Sequence, residues 1–179
     1  HDFDGPGAQP ARLVVGGSFS SIGGVAAQNV AVWDGQAWSA LSTAPGTDIP
    51  ATVKCLASWD PDGSGPLSPK LVAGAALIPE SNGLVFGGGV AAYTGSGWAR
   101  LGSAQVLLFD GANALAVFDR DGSGPQNPVL VAGGLGGGSF AAFWFDGTSW
   151  WGITELSFQS EVTAMTVWDP DGAGASREV

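Results

Sequence analysis

Trp33-Asp34-Gly35-Gln36-Ala37-Trp38, Tyr93-Thr94-Gly95-Ser96-Gly97-Trp98 and Phe145-Asp146-Gly147-Thr148-Ser149-Trp150 are three copies of one hexapeptide. Each reads as a β-hairpin. Aromatic residues suit the pleated, half-buried surface of a strand. Asp-Gly or Thr-Gly tolerates the positive φ that a two-residue type I′ turn needs. Upstream of each hexapeptide stands a second mark, Leu13-Val14-Val15-Gly16, Leu71-Val72-Ala73-Gly74 and Leu130-Val131-Ala132-Gly133. A third is Asp-x-Asp-Gly-x-Gly, starting at Asp2, Asp60, Asp119 and Asp169. Signals kept in one order at similar spacing mark an internal repeat, here over approximately 1–59, 60–118 and 119–179 of a single repeat region covering 1–179.

Each repeat reads as four short strands. Strand a is a nearly continuous apolar run at 53–59, 113–118 and 162–168, which suits burial on both faces. The Asp-Gly turn follows, then strand b at Leu-Val-x-Gly, strand c ending on the first aromatic and strand d starting at the Trp. No segment has a helical apolar period. Four antiparallel strands per repeat is the make-up of a propeller blade, so the fold expected is all-β with three blades' worth of strands in permuted register: b-c-d, a-b-c-d, a-b-c-d, a. Three blades are too few to enclose an axis, since about four to eight close a ring. Two blade faces and a strand edge are therefore expected to stay open, and such surfaces recruit partners. Three arrangements satisfy them: a longer polypeptide of which this chain is an excerpt, two chains closing one ring, or an open-ended fibre. In each, the strand carrying Val162, Ala164, Met165, Val167 and Trp168 pairs beside residues 12–17 of another copy or with a continuation of the chain.

The order of hydrophobic strand, Gly-Gly, loop, aromatic, short turn and Trp resembles the kelch-type blade. Gly16-Gly17-Ser18-Phe19 with the Trp-Asp-Gly-x-x-Trp hairpin is similar to propeller repeats of large secreted bacterial proteins. The middle repeat departs from the pattern, with Ala75 after Gly74 and Tyr93-Thr94-Gly95 in place of Trp-Asp-Gly. The resemblance implies an extracellular or cell-surface protein that binds or scaffolds rather than catalyses.

Composition agrees with a packed β protein: thirty Gly and eleven Pro for turns, 45% apolar residues for a core, and eight Trp with nine Phe. The formal net charge of −10 repels phosphate backbones and anionic lipid, which argues against nucleic-acid partners and membrane insertion. Cys55 is the one cysteine, so no disulfide forms within the chain, and its apolar surroundings mark it as a small hydrophobe. The first residue is His rather than Met, as expected of a processed or excerpted chain.

Candidate sites are few. The Asp turns offer weak calcium candidates at Asp60, Asp62, Asp119, Asp121, Asp169 and Asp171. They lack the carboxylate at the twelfth position of an EF-hand loop, so the reading preferred is a hairpin whose Asp side chains cap backbone N–H groups, with no metal and no cofactor. Gly87-Gly88-Gly89 and Gly136-Gly137-Gly138 precede no helix and no Lys-Ser/Thr, which points to close strand approach rather than phosphate binding. Trp144 and Trp151 are the glycan-binding candidates, because neighbours along a strand face opposite sides and these two fall on the outward side. Carbohydrate is the alternative partner they imply, in a lectin-like propeller. His1 is the one histidine, and no nucleophile elbow or zinc motif occurs, so no catalytic residue is assigned.

Overall fold

The computed structural model describes residues 1–3, 8–41, 49, 51–63, 65–76, 78–79, 85–86, 89–102, 108–121, 125–136, 140–154 and 161–168. Among them there is no helix. The strands are β1 (Leu13–Gly16), β2 (Ser21–Ile22), β3 (Val25–Ala26), β4 (Val30–Trp33), β5 (Trp38–Ala40), β6 (Val53–Trp59), β7 (Lys70–Ala75), β8 (Ile78–Pro79), β9 (Val85–Phe86), β10 (Val90–Tyr93), β11 (Trp98–Arg100), β12 (Leu108–Phe118), β13 (Val129–Gly136), β14 (Ala142–Phe145) and β15 (Trp150–Gly152). They form three antiparallel sheets, β1-β4-β5, β6-β7-β10-β11 and β12-β13-β14-β15, here called sheets 1, 2 and 3. Two small ribbons, β2-β3 and β8-β9, are inserted between the second and third strand positions of sheets 1 and 2.

The hexapeptides make the hairpins, though one residue later than the sequence suggests. Trp33 pairs with Trp38, Tyr93 with Trp98 and Phe145 with Trp150, their rings 5.2, 5.6 and 4.9 Å apart. Within each of these turns a single residue has positive φ, Gly35, Gly95 or Gly147, so the type I′ expectation of two such residues is corrected. The reason lies in the preceding side chain. Asp34 Oδ1 accepts from the N–H groups of Gln36 and Ala37, and Asp146 Oδ1 accepts from those of Thr148 and Ser149. A side-chain oxygen thus takes over the capping of the turn.

The expected strand at 113–118 is longer, β12 beginning at Leu108 and passing a bulge before Ala114. The expected strand at 162–168 is not paired as a ladder. Its start is fixed by one bridge, Leu135 with Glu161, and by the Val162 N–H donating to Gly134 O at 3.1 Å. From there to Trp168 no strand is formed.

Sheets pack one on the next. Val30, Ile49, Val53, Ala73 and Ala75 form a core between sheets 1 and 2. Trp59, Val72, Val90, Ala92, Leu130, Ala132, Phe143, Phe145 and Trp150 form the core between sheets 2 and 3. Both junctions carry a hydrogen bond from an aromatic residue to the end of the preceding sheet: Tyr93 Oη to Leu41 O at 3.1 Å and Trp150 Nε1 to Leu101 O at 2.7 Å. Glycine sets the distance of approach. A Cβ on Gly16 would strike the side chain of Val53, one on Gly74 would strike Cys55 and Ala112, and one on Gly133 would strike Val162. Val53, Ala112 and Val162 therefore stand in the same relation to sheets 1, 2 and 3 in turn.

Candidate functional site

The register makes Leu13, Leu71 and Leu130 equivalent, each facing the sheet before its own. Leu71 and Leu130 are 3% and 0% exposed, whereas Leu13, with no described sheet before it, is 58% exposed. At the other end, Trp59, Phe118 and Trp168 each end an apolar run just ahead of an Asp turn. Trp59 is 2% exposed, with Nε1 donating to Pro128 O just ahead of β13, while Trp168 is 74% exposed. Identical positions are thus covered in the middle of the row and open at its ends.

The N-terminal end also has an open strand edge. Among the described residues β1 has a strand neighbour on one side only, β4. On the other side His1 and Arg12 exchange both backbone hydrogen bonds, 2.7 and 2.9 Å, as Trp59 and Lys70 are paired in sheet 2. At the far end, Ala164–Trp168 lie along sheet 3 and bound a groove of about 630 Å³ with Ala116, Phe118, Val131 and Ile153. Of the predicted strand residues, Val162 and Met165 are half-buried and Ala164, Val167 and Trp168 are exposed.

The two candidate tryptophans meet as a cross-strand pair, Trp144 opposite Trp151. Their rings stack at 6.2 Å and 25°. Trp151 is 52% exposed. Trp144 is only half-buried rather than exposed as expected, because the Arg120 guanidinium lies over its ring at 4.7 Å and Trp151 covers part of it. Trp151 Nε1 donates to Asp146 Oδ2 at 2.8 Å. The Ser149 N–H, then the Trp151 indole and the Thr148 N–H, hold the Asp146 carboxyl well below the usual carboxylate range.

The Asp turns are hairpin caps. Asp60 Oδ1 accepts from the Asp62 N–H and Asp119 Oδ1 from the Asp121 N–H, both at 3.2 Å. Asp62 Oδ2 accepts from the Leu67 N–H and Asp121 Oδ2 from the Gln126 N–H. The remaining oxygens, Asp62 Oδ1 and Asp121 Oδ1, are buried without a hydrogen-bond partner. Asp169 and Asp171, and all of the glycine runs except Gly89 and Gly136, lie outside the described residues. Gly89 does admit close approach: a Cβ there would strike the carbonyl of Ala75. Burial pushes the Cys55 thiol up to about 11, making it a poor nucleophile. His1 Nδ1 lies 3.0 Å from Ser58 Oγ.

One polar feature escaped the sequence reading. Lys54 Nζ donates to Asn113 Oδ1 at 2.8 Å, and Asn113 Nδ2 donates to Glu161 Oε1 at 2.9 Å. The row crosses sheets 2 and 3 and reaches the C-terminal segment. Its only signal in the sequence is that Lys54 and Asn113 follow the equivalent residues Val53 and Ala112. Among known proteins the chain matches no family model, no curated protein and no solved structure.

Proposed function

We propose that the chain is a non-catalytic scaffold module of β-propeller type, each sheet serving as a blade of the kelch-like kind. Its work is blade-on-blade association in self-assembly or adhesion outside the cell. The observation that carries this reading is the contrast between Leu13 at 58% exposure and its equivalents Leu71 and Leu130 at 3% and 0%. A face that the chain covers twice and leaves open once is a face built to be covered. The raised Cys55 thiol and the engagement of the Asp side chains in turn capping support a non-catalytic role. Sedimentation velocity of the 179-residue chain over a concentration series tests the proposal. Reversible association is expected, lost when residues 160–179 are removed. A chain that stays monomeric throughout overturns it.

A second reading rests on Trp151, exposed and oriented by Asp146. A flat indole beside a fixed carboxylate suits a sugar ring, the indole for its C–H face and the carboxylate for its hydroxyls. Binding on a glycan array that disappears in Trp151→Ala supports this lectin-like use; binding retained in that variant excludes it.

A further inference from the structure

We propose that the occupant of both open ends is a second copy of this chain, joined by strand exchange in a defined register; the inference rests on the association reading above. Among the described residues, segment 162–168 holds the first-strand position of a further repeat and pairs with no second strand, and beside β1 that position is filled by His1 opposite Arg12. Sheets 2 and 3 fix how the two fit. Cys55 pairs with Gly74, Ala57 with Val72 and Ser58 with Leu71 in sheet 2; Ala114 pairs with Gly133, Ala116 with Val131 and Val117 with Leu130 in sheet 3. Val162 stands to Gly133 as Val53 does to Gly16, so the segment is aligned with β6 residue by residue. The same register sets Ala164 opposite Gly16, Met165 opposite Val15, Thr166 opposite Val14 and Val167 opposite Leu13 of the partner copy. The incoming Trp168 then takes the place opposite Arg12, and His1 gives way.

Three observations make the second copy fit. Segment 162–168 is already seated against sheet 3, held by its bridge to Leu135 and by Glu161 on Asn113. Its place along sheet 3 is therefore set before the partner arrives. The backbone groups of Val14 and Gly16 that do not serve β4 gain partners in the incoming strand. Leu13 and Trp168 both become buried, as Leu71, Leu130 and Trp59 are. Reciprocal exchange between two copies, each with three large sheets, brings the blade number within the closing range of about four to eight. The product is a closed dimer. Because each copy carries a net charge of −10, salt strengthens the association rather than weakening it.

The test is a double variant, Leu13→Cys with Val167→Cys, both at sites exposed in the single chain. In the proposed register these two form a non-hydrogen-bonded antiparallel pair, whose short Cα separation suits a disulfide. Mild oxidation is expected to give a linked species of twice the chain mass, absent from either single variant and abolished by reductant. A ladder of higher multiples overturns ring closure. An unlinked product from a chain that still sediments as a dimer overturns the register but leaves the association reading standing. Failure of the parent chain to associate at all overturns both, as does a disulfide formed within one chain.

Discussion

Replacing the three equivalent leucines by alanine, one at a time, separates position in the repeat from position in the row. Leu130 is fully buried in the core shared by sheets 2 and 3. Leu130→Ala removes three carbons, about 2.4 kcal/mol of transfer free energy at about 0.8 kcal/mol per buried carbon. The cavity left behind adds to this, bringing the loss to about 3–4 kcal/mol. In a chain of this length each kcal/mol lowers Tm by about 2–4 °C, so a fall of about 10 °C is expected. Leu71→Ala, at 3% exposure, should behave alike. Leu13→Ala trims a side chain already 58% in water and should stay within about 0.5 kcal/mol in dilute solution. Circular dichroism melts, at dilution where the parent chain is monomeric, read all three. As concentration rises into the associating range, Leu13→Ala alone should gain a cost, seen as a weaker dimer. A Leu13→Ala penalty as large as that of Leu130→Ala at high dilution refutes the reasoning. It would mean that the first sheet is already covered within one chain.

Two further outcomes are expected. Because each Asp turn uses two of its four carboxylate oxygens to accept backbone N–H groups, added Ca²⁺ or EDTA should leave Tm unchanged; a Ca²⁺-dependent rise, lost in Asp62→Asn and Asp121→Asn, would show that Asp62 Oδ1 and Asp121 Oδ1 bind the cation instead. The Asp146 carboxyl is held below its unfolded value of about 3.9, so its contribution is fully present above that pH and is lost as pH falls toward the lowered folded value; melts across the acid range should show a shallower acid slope in Asp146→Asn, and an unchanged slope counts against the capping role.

The hairpins were legible because their determinants are local. A glycine with positive φ and two aromatics across it are read within six residues, and the pairs 33–38, 93–98 and 145–150 sit where the sequence puts them. The shift of each turn by one residue was not legible. It depends on whether Asp34 or Asp146 caps with its side chain or with its backbone, and composition does not distinguish the two. The start of β12 was missed because Gly111 interrupts the apolar run, while the strand continues through it along a bulge. Trp144 was misjudged for a different reason. Alternation along β14 gave its side of the sheet, but its cover comes from Arg120, a residue of the preceding turn that no local pattern links to it.

Assembly and the tryptophan ridge do not compete for one surface. Ser39, Ala99 and Trp151 occupy the same position on the last strands β5, β11 and β15. Ser39 and Ala99 remain exposed even though sheets 2 and 3 cover the faces they belong to. One strand inward, Val32 and Ala92 are 3% and 7% exposed, so the next sheet reaches as far as that strand and stops. Docking a further sheet on sheet 3 should by the same geometry enclose Trp144 and leave Trp151 at the rim. A ligand platform can therefore persist in the assembled state, and it is the rim position, rather than the open face, that a carbohydrate would meet. Covering Trp144 also removes solvent from one side of the stacked pair, which holds Trp151 more firmly in the orientation set by Asp146. If the lectin-like and self-association proposals both hold, the associated chain should bind sugar more strongly than a chain lacking residues 160–179.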